Sequence, residues 1–103
     1  MKIIKELSEL IEEEVEGAEN YAKLANSYKV DRPKLADVFY ELSLQEMHHV
    51  NRLHEEVVKM IKEHRQAHGE PPAAMMAIYE WQHKRQVDKM AEVKRYQDIF
   101  ING

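Results

Sequence analysis

The chain has 103 residues, a net charge of −4 and no cysteine. That length suits one domain with one modest core. The missing thiols exclude disulfides, zinc knuckles, iron–sulfur clusters and thiol catalysis, and they suit a reducing, cytoplasmic setting. Charged residues make up 33% of the chain without forming a basic stripe, which argues against a nucleic-acid partner. No apolar run approaches the roughly 18 residues of a membrane helix, and no signal-peptide core follows Lys2, so no membrane partner is expected.

The first predicted helix runs from about Ile3 to about Lys29. Its apolar seam is Ile4, Leu7, Ile11, Glu14, Ala18, Tyr21, Ala25 and Tyr28. The steps alternate between three and four, as on one face of a helix. Glu14 is the one charged member of that seam. Gly17 sits mid-helix, where it costs roughly 1 kcal/mol relative to Ala. A close approach by another helix would offset that cost.

Val30-Asp31-Arg32-Pro33 breaks the pattern. Asp31 is the expected N-cap, and Pro33 is tolerated in a first turn. The second helix then spans about Pro33 to about Ala67, roughly 50 Å at 1.5 Å per residue. Its seam is Leu35, Phe39, Leu42, Glu46, His49, Leu53, Val57 and Met60. Gly69 is the expected stop, and Pro71-Pro72 prevents continuation. The third helix spans about Ala73 to about Ile101. Its seam is Met76, Tyr79 or Glu80, His83, Val87, Met90, Val93, Gln97 and Phe100. Strand-like alternation is missing throughout, so the expected class is all-α, with antiparallel neighbours across the short connections.

Glu46 and His49 are the positions that carry chemistry. Three residues apart, they share one helix face, and they occupy two places on the seam where core residues belong. Burying an ionisable pair is costly unless something compensates. A metal ion does so, and Glu-x-x-His is the ligand unit of di-iron bundles. The bare motif is weak: with 15 Glu and 6 His, about one occurrence is expected by chance and two are present. Glu46/His49 gains weight from Glu14 on the seam of the preceding helix. Glu80/His83 gains less, because Tyr79 competes with Glu80 for the inward position; an exposed pair flanking Trp81 and a ligand pair that closes one end of the bundle or forms a second site are equal readings. His48, His54, His64 and His68 are expected to face solvent, and the methionines to fill core. Glu13 and Glu16 flank Glu14, where they would draw cations towards it. The alternative for the pair itself is a metal-free Glu–His layer that fixes the register of an oligomer.

One hairpin of the first two helices covers only half of the stripe containing Glu14, Glu46 and His49. A two-fold dimer would cover the rest. It would also unite four carboxylates and two imidazoles, the complement of a di-iron or di-manganese centre. Such ligands suit iron or manganese better than copper or a structural zinc.

Glu14 followed seven residues later by Tyr21, then a Pro-marked turn, then Phe39 and Glu46-x-x-His49, resembles the first half of a rubrerythrin or ferritin-like domain. The acidic cluster Glu12-Glu13-Glu14-Val15-Glu16 ahead of Tyr21 is more similar still to the encapsulated ferritins, which have a half-length, two-helix hairpin. The third segment, with Gly69-Glu70-Pro71-Pro72, Met75-Met76, Tyr79 and His83, resembles short ferritin-like proteins of bacteria and their phages. The resemblance implies a ferritin-like hairpin plus a third helix, completing a four-helix bundle by dimerisation. It implies two irons at each dimer interface, held by Glu14, Glu46 and His49 from each protomer, with Glu46 bridging. Manganese and zinc share these ligands. It further implies Tyr21 near the metals, and Glu13 and Glu16 on an iron entry path.

The expected function is therefore oxidation of Fe²⁺ to Fe³⁺ in a cytoplasmic homodimer or larger homo-oligomer. Rubrerythrin-like peroxide reduction and a metal-free structural or adaptor oligomer are the alternatives. The chain has neither four helices nor the cysteines of a rubredoxin iron site. Its tail, Asp98-Ile99-Phe100-Ile101-Asn102-Gly103, does not look like an encapsulin-docking peptide, so no encapsulin shell is expected.

Overall fold

Three helices account for nearly all of residues 2–103, the part of the chain that the computed structural model describes. They are α1 (Lys2–Tyr28), α2 (Pro33–His68) and α3 (Ala73–Asn102), and no strand occurs among the described residues. The molecule is a rod of 55 × 19 × 18 Å. α1 is its spine. It packs along α2 on one side and along α3 on another, while α2 and α3 meet at few points. No described helix is long and apolar enough to cross a membrane.

The helix ends follow from local chemistry, with one difference from expectation. The N-cap of α2 is Arg32, not Asp31, and no side chain caps it. Pro33 follows at the first helical position and has no N–H for a cap to satisfy. The Arg32 N–H instead donates to the Tyr28 carbonyl at 2.8 Å, closing the turn. At the other end Gly69 adopts φ 80° and donates its N–H to Arg65 O. That backbone suits a residue without Cβ.

The buried stripe is rotated from the predicted seams. On α1, Ile4, Ile11, Ala18 and Ala25 are buried as expected, but Ser8, Val15 and Ala22 complete the stripe. Leu7, Glu14 and Tyr21 are half-buried and Tyr28 is exposed. On α2 the buried residues are Ala36, Ser43, Val50, Val57 and Ile61. Leu35 and His49 are exposed, and Phe39, Leu42, Glu46, Leu53 and Met60 are half-buried. On α3 only Val93, Gln97 and Phe100 of the predicted seam are buried, joined by Gln86, while Val87 is exposed. The physical reason is α3. It packs on the far side of α1 and turns the arc from Ser8 to Ala22 inward. Small residues at Ala18, Ala22, Ala36 and Ser43 then let the helices approach closely.

Polar contacts hold much of α3 in place. Gln86 donates through Nε2 to Ser8 O at 3.0 Å. Gln97 donates to Ser43 Oγ at 2.9 Å, and that hydroxyl donates to Ala18 O at 2.7 Å. Asn26 donates to Tyr96 O at 3.0 Å. No buried side-chain polar atom among the described residues lacks a partner. Apolar contact completes the joint: Val93 joins the main core, and Phe100 stacks on Tyr40 at 5.0 Å.

Candidate metal centre

The rotation of the core leaves Glu14, Glu46 and His49 along an edge of the α1/α2 hairpin, not in its interior. The Glu14 and Glu46 side chains are 30% and 24% exposed and that of His49 is 52% exposed. The three therefore lie beside the buried stripe of the single chain rather than within it. The structure nevertheless brings the three together. One carboxylate oxygen from each glutamate and one imidazole nitrogen lie within 4.8 Å of one another. His49 Nδ1 is 3.6 Å from Glu14 Oε2 and 4.0 Å from Glu46 Oε1.

Those separations are too long for hydrogen bonds. They are close to what a shared ion requires, because ligand atoms about 2.1 Å from one metal lie about 3–4 Å from each other. The donor chemistry also fits, since two carboxylates and an imidazole suit iron, manganese or zinc. Three ligands leave coordination positions open to water, an oxidant or a second set of side chains.

The backbone of α1 makes room for this arrangement. A Cβ on Gly17 would lie 3.2 Å from Glu46 Oε2. Gly17 therefore accommodates the Glu46 carboxylate rather than the backbone of a neighbouring helix. Glu46 is pushed up from 4.5 to about 7 by hydrogen bonding to the neighbouring Glu14, then by burial and by the charge of Glu14, while His49 opposes the shift. Crowded carboxylates favour the protonated form, and a bound cation would favour the ionised one.

The remaining candidates are distributed differently. Tyr21 stacks on Phe39 at 6.2 Å, and Tyr28 approaches the same ring at 6.2 Å, on the same edge as Glu14. Glu13 is exposed. Glu16 lines a cleft between α1 and α3 with Glu12, Arg85 and Lys89, so it is turned away from Glu46. The Glu80/His83 pair is split: Glu80 is exposed, while His83 is half-buried and stacks on Tyr79 and His54. His54 therefore does not face solvent freely, contrary to expectation, and His64 is half-buried too. The His54–His83 contact was invisible in either helix alone, because its signal lies in how two distant segments pair.

Comparisons with protein-family models, curated proteins and solved structures return no match for this chain. The geometry of the Glu/Glu/His cluster stands by itself.

Proposed function

We propose that Glu14, Glu46 and His49 bind iron as half of a carboxylate–histidine di-metal centre, which a second copy of the chain completes. The supporting observation is the convergence of three donor atoms within 4.8 Å on an open edge. The same edge carries apolar side chains that the single chain leaves partly open to solvent. Leu10, Leu24, Tyr28, Leu35 and Val38 are 37–48% exposed. With half-buried Leu7, Tyr21, Phe39, Leu42 and Leu53 they flank the cluster at helical spacing. A two-fold partner seated there would bury this surface and unite the two clusters.

Fe²⁺ is the substrate. Each ion gives up one electron, and dioxygen or peroxide, with protons from water, is the acceptor. The residues neutralise and position the ions: the two glutamates supply carboxylate oxygens, His49 supplies a ring nitrogen, and the apolar flank excludes bulk water. The same arrangement supports a ferritin-like reading, with the α1/α2 hairpin as the bundle half. Anaerobic loading with Fe²⁺ followed by air tests this function. An oxygen-dependent absorbance rise that is lost in Glu46→Ala is expected. Stoichiometric binding with no oxidation by air or peroxide would remove the activity.

One feature favours the metal-free alternative: Glu46 is pushed up to about 7 beside Glu14, which relieves the charge on the pair without a metal. In that case the Glu46→Leu/His49→Leu double variant keeps or gains stability, and iron changes neither folding nor assembly.

A further inference from the structure

His54 on α2 and His83 on α3 are 29 positions apart in the chain, yet their rings stack, with centres 4.8 Å apart and planes within 11°. Tyr79, one turn earlier on α3, stacks on His83 in turn at 5.8 Å. Both imidazoles are half-buried. They form one of the few joints between helices that otherwise scarcely touch.

The spacing fits joint ligation of an ion. Two imidazoles bound to one metal at about 2.1 Å have ring centres about 4.5–5.3 Å apart, for ligand angles from square to tetrahedral. Converging the nitrogens from the stacked arrangement requires turning the rings about the Cβ–Cγ bond, a broad torsion with low barriers.

We propose that His54 and His83 are a second transition-metal site, a two-imidazole clip that pins the first half of α3 to α2. Imidazole pairs favour Zn²⁺, Ni²⁺ and Cu²⁺, and water fills the remaining positions. The clip does not depend on the Glu14/Glu46/His49 centre. Its competitor within the molecule is the i,i+4 pair His64/His68, whose rings are 5.3 Å apart on α2.

The test uses the full-length Glu46→Ala/His49→Ala chain, so that the first centre cannot contribute, with Zn²⁺ and Ni²⁺ as probes. At ten times the dissociation constant, bound Zn²⁺ raises the melting temperature by roughly 5–10 °C. Amide exchange slows over residues 73–83 of α3. His54→Gln or His83→Gln abolishes both effects, and His64→Gln/His68→Gln leaves both. Independently of any further substitution, Ni²⁺ broadens the ring-proton resonances of His54 and His83 before those of His64 and His68. Failure to bind either ion, survival of the effects in His54→Gln, or broadening confined to His64 and His68 would overturn the clip.

Discussion

Glu46 is the residue on which the candidate centre turns. Its pKa is raised to about 7, so the folded chain holds a proton that the unfolded chain releases near pH 4.5. Between those values the folded state binds more protons, and stability from this group falls as pH rises. Below pH 4.5 the contribution is fully present; above about 7 it is gone. Because the side chain is 24% exposed, solvent screening limits the effect to about 1–2 kcal/mol. Glu46→Gln removes this part of the slope, which urea unfolding at pH 5 and pH 7.5 measures as a difference from the parent chain. The same proton opposes metal. Zn²⁺ affinity at the centre is expected to fall about tenfold per pH unit below 7. Isothermal titration at pH 6 and pH 7.5 checks this, with proton release read from two buffers of different ionisation enthalpy.

At the scale of the helices, the joint between α3 and the hairpin is polar where a bundle core is usually apolar. Ser43 lies at its centre, donating to Ala18 O and accepting from Gln97. Ser43→Ala leaves the Gln97 amide and the Ala18 carbonyl buried without that partner and is expected to cost about 1–3 kcal/mol. Ser43→Ala with Gln97→Met removes both sides of the Gln97 bond and should recover part of that loss. Chemical denaturation of the single and double variants measures the coupling. This joint also explains what was legible beforehand. The periodic apolar residues, Pro33 and the Gly69–Pro72 break mark three helices through local physics alone. The face each helix buries depends on where α3 docks, and that depends on Ser8, Ser43, Gln86 and Gln97. Gln97 lies on the predicted seam, but in a helical pattern Ser8, Ser43 and Gln86 look like surface. The Glu14/Glu46/His49 grouping was legible because two antiparallel helices with matched spacing bring such positions level. The exact face buried was not, because it depends on where α3 docks against the hairpin. His54 and His83 lie on helices whose pairing no local signal specifies.

For the molecule as a whole, the edge bearing the candidate centre is the surface with most to gain from a partner. Leu35 at 43% exposure and Leu24 at 37% exposure lie on it, away from the three ligands. Leu35→Lys with Leu24→Lys is expected to convert an assembled species to monomer, because like charges would face each other across a two-fold axis. Iron stoichiometry should fall with assembly although Glu14, Glu46 and His49 are unchanged. Sedimentation and iron analysis of this variant separate loss of the partner from loss of the ligands.

The central claim, an iron site shared between two copies, is tested most directly by native mass spectrometry of the chain titrated anaerobically with Fe²⁺. A dimer, or a multiple of it, carrying two irons per pair of chains is expected, with both irons lost together in Glu46→Ala. A monomer that binds one iron unaided, an assembly that binds none, or iron retained in Glu46→Ala would contradict it.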